Sequence, residues 1–138
     1  MRAILLALGI FIVVTGAARA QEVVPPVAGI ESTINQQIEA FRADDFAQAF
    51  TFASPSIRNL FRTPENFGAM VRNGYPMVWR PRSVTFGDLR EVAGGLWQRV
   101  IVTDAAGGVH ALDYLMVQVD GAWRIAGVQL LPAPDLSA

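Results

Sequence analysis

The chain has 138 residues, 52% of them hydrophobic and 17% charged, with a formal charge of −1. All eleven of its Lys and Arg positions are Arg, and it has one His and no Cys. These absences exclude disulfides, thiolate metal sites, Schiff-base and P-loop lysines and any multi-histidine metal centre. The near-neutral balance leaves no electrostatic footprint for nucleic acid.

Arg2 is followed by an apolar run from Ala3 to Val14, then by Ala18-Arg19-Ala20, the small-x-small pattern that signal peptidase accepts. The run is about a dozen residues, short of the roughly 20 that a membrane-spanning helix needs. The expectation is a signal peptide over 1–20, cut after Ala20, and a periplasmic or secreted protein with no stable membrane anchor after cleavage. Cleavage would remove Arg2 and Arg19 but no acid, moving the formal charge from −1 to −3.

Residues 21–28 contain Pro25-Pro26 and read as an extended leader; 29–132 read as one domain and 133–138 as a tail. From Gly29 to Ala43, Ile30, Ile34, Ile38 and Phe41 form one stripe of an amphipathic helix. Asp44 has the chemistry of an N-cap for a second helix lined by Phe46, Ala49, Phe50 and Ala53. Ser54-Pro55 and Thr63-Pro64 each set a capping hydroxyl before a first-turn proline. Asn73-Gly74 reads as a helix stop, and Tyr75 to Arg82, with Pro76 and Pro81, as an extended connector.

Beyond it the period becomes two. Strands are predicted over Val84–Glu91, Leu96–Thr103, Val109–Val119 and Ala122–Leu131, with Asp120-Gly121 as a tight hairpin turn. Helices followed by an antiparallel meander predict an α+β domain, with N-terminal helices packed on one face of a curved antiparallel sheet. Pairing Val119 with Ala122 places Val109, Ala111, Asp113, Leu115, Val117 and Val119 on one face. All but Asp113 are apolar, so this face is expected to meet the helices. The other face carries His110, Leu112, Tyr114, Met116 and Gln118, beside Trp123, Ile125, Gly127 and Gln129. It is too apolar for solvent and is read as a homodimer face.

The closing run Asp120–Ile125 (Asp-Gly-Ala-Trp-Arg-Ile), after a helical first half, resembles the nuclear-transport-factor-2-like superfamily. More narrowly, Ile38–Phe46, Thr63–Phe67 and Met70–Pro81 resemble a family of small exported bacterial proteins catalogued as domain of unknown function 4864. The resemblance covers Ile30 to Leu131. It implies a cone-shaped fold in which a sheet wraps a long helix around a pocket, with the convex face free to dimerise. It implies no mechanism, because the superfamily hosts isomerases, dehydratases, cyclases, toxin-immunity partners and inert assembly domains.

Asp113 is the sharpest candidate for chemistry. A carboxylate on an apolar strand face has a raised pKa unless a cation or hydrogen bonds keep it ionised, and the resemblance implies that a pocket-lining acid can serve as a proton-transfer base. Its partner depends on register. If Thr103 pairs with Val109, Arg99 lies opposite and forms a structural ion pair; if Asp104 pairs with Val109, Val100 lies opposite. The second register matches the apolar faces better. His110, the one imidazole, falls on the other face beside a loop, with no Ser or Cys nucleophile at a recognisable spacing. Tyr75, Trp79, Arg80 and Arg82 on the connector, with Arg99, are the ligand-pocket candidates, set against the reading of Trp79 as a core plug and the arginines as solvated. Asp44-Asp45 is better explained by capping, and Asp88 and Glu91 point to opposite faces, so no metal and no cofactor are expected. Two readings follow: a non-enzymatic module that dimerises through its sheet and binds a small molecule or protein segment, and a small lyase or isomerase using Asp113 as base.

Overall fold

A computed structural model describes residues 21–132; the signal-peptide and tail readings lie outside them. β1 (Glu22–Val24) leads into α1 (Ala28–Arg42), α2 (Phe46–Thr51), α3 (Pro55–Phe61), α4 (Pro64–Gly74) and the single turn α5 (Pro76–Trp79). Four strands follow: β2 (Pro81–Val92), β3 (Gly95–Asp104), β4 (Val109–Val119) and β5 (Ala122–Leu130). They form one open antiparallel sheet in the order β1-β2-β3-β4-β5. The α+β expectation is met.

The capping chemistry explains most helix starts. Ser54 accepts from the Ile57 N–H and Thr63 from the Asn66 N–H, each ahead of its first-turn proline. The cap of α2 is Asp45, which accepts from the Gln48 N–H, and not Asp44, one residue earlier. Asp44 instead has φ of 54° and turns its carboxylate towards α5. One further expectation is sharpened and one is corrected. The leader is an edge strand, Glu22 pairing with Glu91 and Val24 with Leu89, because an extended apolar segment can fill the free ladder of β2. The connector is helical over Pro76–Trp79, since Pro76 occupies a first-turn position where its missing N–H costs nothing. At the opposite edge, Ser54 N–H donates to the Ile125 carbonyl and Ile125 N–H to the Phe52 carbonyl, so the end of α2 shields the start of β5.

The Asp120-Gly121 turn forms as expected, both residues at positive φ. Val119 pairs with Ala122, but a bulge at Leu115/Met116 shifts the rest of the ladder, so that Tyr114 faces Val128 and Asp113 faces Gln129. In the preceding hairpin Thr103 pairs with Val109 and Arg99 with Asp113, the register that the apolar-matching argument disfavoured.

The sheet faces are the reverse of those expected. Leu112, Tyr114 and Met116 join Val100, Val102 and Ile125 in the core beneath the helices, with the Ile30, Ile34, Ile38 and Phe41 stripe of α1 above them. The face read as a homodimer surface is therefore interior. Asp113 and its neighbours point outward. Side-chain volume decides this: the long Leu, Tyr and Met side chains fill the gap between layers, whereas Ala111 and the valines cannot. Polarity misleads here because the Tyr carries its hydroxyl at the end of a large apolar body.

Candidate functional site

Between the helical layer and the sheet lies a cavity of about 350 Å³, towards the small end of the roughly 300–1,000 Å³ typical of small-molecule sites. Its floor is sheet: Tyr114 from β4 with Ile125, Gly127 and Val128 from β5. Its walls are Gln37 and Phe41 from α1 and Phe67, Met70 and Val71 from α4, with Tyr75 and Val78 at the α5 end. The remaining side is α3. Ile57, Leu60 and Phe61, spaced three and four apart on one helical face, turn to the cavity. No α3 residue is fully buried, and Leu60 is 69% exposed, so the cavity opens to solvent past this short helix. Phe67 ties the wall together, its ring within 6 Å of those of Phe41, Phe50 and Phe61.

Among the described residues, no Asp, Glu, Arg or His lines this space. Its polar groups are Gln37, Tyr75 and Tyr114. Gln37 Nε2 donates to the Ala49 carbonyl at 3.2 Å and the Tyr75 hydroxyl to the Val128 carbonyl at 3.3 Å. Burial, with a further contribution from Tyr75, pushes the Tyr114 phenol well above its ordinary value.

The candidates named from sequence scatter. Tyr75 alone among them lies on the cavity. Trp79 and Arg80 lock α5 to the end of α1. Trp79 Nε1 donates to Asp44 Oδ1 at 2.9 Å, and Arg80 NH2 contacts both Asp44 oxygens at 2.9 and 3.0 Å. Arg80 NH1 also donates to the Phe41 carbonyl, which accepts the Asp44 N–H as well, and its guanidinium stacks on the Trp79 ring at 4.4 Å. The Trp79 hydrogen bond, and after it that of Arg80, holds the Asp44 carboxyl below the usual range. Arg82 donates to the Ala105 carbonyl of the β3–β4 turn. His110 meets Asp104 at 2.7 Å, and Asp104 also accepts from the Ala106 and Gly108 N–H groups, so that pair closes the same turn.

Asp113 sits at the centre of the outer face, on the far side of the sheet from the cavity. Arg90 NH1 and NH2 reach its two oxygens at 3.0 and 2.8 Å; Arg99 Nε and NH2 reach them at 2.6 and 3.3 Å. Burial alone would raise its pKa, but the hydrogen bonds of Arg99 and Arg90 outweigh it and the carboxyl is held low. An acid in this position is a fixed counter-ion for two guanidinium groups. Gly87, at the β2 bulge, makes room for one of them: a Cβ there would stand 3.0 Å from Arg99 Cγ. Arg90, absent from the sequence candidates, completes the cluster because Arg90 pairs with Trp97 across β2 and β3 and so shares the outer face of Arg99.

The family model described as Domain of unknown function (DUF4864) matches residues 25–138. The chain belongs to that family. The match takes in every helix and strand of the domain except β1, and so the whole cavity and the whole arginine–aspartate cluster of this family member. No curated protein and no solved structure matches the chain.

Proposed function

We propose that this member of the family is a binding module that holds a small apolar molecule between its helices and its sheet. One observation carries the reading: a cavity of about 350 Å³ walled by apolar and aromatic side chains, with no charged lining residue among those described and an opening past α3. A domain with no use for such a space would close it, because an unfilled apolar void forfeits packing on all sides. The layout, helices on one side of an antiparallel sheet with a pocket between, supports the nuclear-transport-factor-2-like likeness as part of this proposal. The lyase or isomerase reading loses its footing, since the acid it relied on stands on the other face between two arginines. Titrating the protein with 2-ethylnaphthalene under two-dimensional NMR tests the binding. The amides of Ile57, Val71 and Val128 shift together if the reading is right, and no shifts up to the solubility limit refute it.

Self-association and export complete the proposed role. Trp97, Ile101, Leu115 and Val117 are only half-buried around the Arg90–Asp113–Arg99 cluster, which supports self-association through the outer sheet face. Light scattering at tens of micromolar should return twice the chain mass, and Ile101→Glu should halve it; a monomer at that concentration removes this part. Export rests on the Arg2 to Ala20 pattern, and N-terminal sequencing of the periplasmic protein, expected to begin at Gln21, tests it.

A further inference from the structure

We infer that the cavity is built for a neutral, compact apolar molecule carrying one hydrogen-bond-accepting oxygen, a ketone or comparable group, which the Tyr114 hydroxyl holds. This rests on the binding reading above and narrows it to a ligand class.

Tyr114 is 1% exposed and lines the cavity floor. Among the described residues no protein group hydrogen-bonds its hydroxyl; burial and the neighbouring Tyr75 are what act on it. Nor is that oxygen sealed in the packing. Among the described residues the fully buried side-chain polar atoms without any partner are Arg58 Nε, Arg90 Nε and Gln98 Oε1, and the Tyr114 oxygen is not one of them. The other polar side chains around the cavity already donate to the protein, Gln37 to Ala49 and Tyr75 to Val128. Beside the second amide N–H of Gln37, that leaves the Tyr114 hydroxyl as the one cavity side chain with no hydrogen bond to the protein, on a rigid ring held by the sheet and lining an otherwise apolar site. Buried polar groups are nearly always paired, and the partner missing here is one that a ligand can supply.

The chemistry of the partner follows from what surrounds it. The phenol stays protonated, because its burial raises its pKa, so it offers a proton and calls for an acceptor. Among the described residues, no cation lines the cavity. The nearest arginine pair, Arg90 and Arg99, lies on the outer face and is committed to Asp113. A carboxylate or phosphate would therefore enter without a counter-ion, at a large desolvation cost. A pure hydrocarbon would leave the Tyr114 donor unpaired. A neutral molecule with one oxygen at its end avoids both penalties.

Three probes of one shape separate the cases: 2-acetylnaphthalene (ketone), 2-ethylnaphthalene (hydrocarbon) and 2-naphthoate (anion). Each is titrated by NMR into the wild-type protein and into Tyr114→Phe, with Tyr75→Phe as a control whose hydroxyl already has an acceptor. The ketone is expected to bind roughly 10-fold tighter than the hydrocarbon, and the anion weaker than either. In Tyr114→Phe the ketone should lose that advantage while the hydrocarbon keeps its affinity; in Tyr75→Phe the preference should survive. Equal binding of ketone and hydrocarbon to the wild type, or a preference that persists in Tyr114→Phe, overturns the ligand class and leaves the binding reading standing. Absence of any binding overturns both. A thermal midpoint of Tyr114→Phe well below wild type would also count against the inference, because it would mean that the hydroxyl has a protein partner.

Discussion

Removing the Asp113 carboxylate tests whether the outer cluster is structural. In Asp113→Ala, the Arg90 guanidinium loses both of its hydrogen-bond acceptors, and its Nε already has none. The Arg90 side chain is 7% exposed, so the charge is left buried and uncompensated, a situation that costs about 3–5 kcal/mol. Arg99 adds little, because at 33% side-chain exposure it can turn to water. For a domain of this size each kcal/mol moves the thermal midpoint by roughly 4 °C, so a fall of about 12–20 °C is expected by calorimetry. Replacing both partners separates the loss of the pair from the stranding of a charge. Arg90→Met with Asp113→Leu fills the same volume without ions and should sit within about 1.5 kcal/mol of wild type in urea denaturation. A loss below about 1 kcal/mol for Asp113→Ala, or a double variant as damaged as the single one, would refute the argument. The double variant should also bind 2-acetylnaphthalene with unchanged affinity, since its altered side chains are on the far face of the sheet.

Acid should weaken the fold through the same group. Asp113 has a folded pKa below its unfolded value of about 3.9, so its stabilisation is complete above that value and drains away as pH falls through the folded pKa. Asp104, lowered first by the His110 hydrogen bond and then by the Gly108 N–H, and Asp44 act in the same direction. Urea midpoints measured from neutral pH downward should drop in the acid range, and less steeply for the Arg90→Met, Asp113→Leu variant; parallel curves would contradict the assignment. At Gly68 on α4, an added Cβ would stand 2.7 Å from Phe46 Cδ1 and 2.8 Å from Cγ. Helix propensity favours Ala there by about 1 kcal/mol, but Phe46 is wedged between Phe41 and the Arg72 guanidinium. Gly68→Ala should lose about 1–3 kcal/mol by chemical denaturation, and a stabilised variant would show that the ring moves freely.

Local chemistry was legible in the sequence wherever one side chain decides the outcome. The Ile30–Phe41 stripe, the hydroxyl–proline starts at Ser54 and Thr63, and the Asp120-Gly121 turn each depend on a few neighbouring residues, and each is found where it was read. The pairing between strands depends on more. One bulge at Leu115/Met116 changes which residues face each other beyond it, and nothing in the alternation of Val109–Val119 announces the bulge. The sequence marks the leader as extended but not as paired, because its partners on the free edge it joins lie almost seventy residues later, with Glu91 opposite Glu22.

The candidate site was harder to see for a related reason. Charge in the sequence points to Asp113, Arg80, Arg82 and Arg99, and in the fold each of these already has a partner. A charged side chain that is half or more buried must find its opposite, so sequence charge in a small domain points first to structural pairs. Arg90 carried the signal that resolves the case: two arginines at β2 and β3 positions with one acid on β4 can form a closed set only if all three share a face. Placing that set outward forces Leu112, Tyr114 and Met116 inward. Once Tyr114 is inward it is a hydroxyl among apolar walls, and the group with an unmet requirement is the uncharged one. The reactive-looking acid is spent on holding the sheet, and the phenol that sequence patterning assigned to an outer face is the cavity side chain with no hydrogen bond to the protein among the described residues.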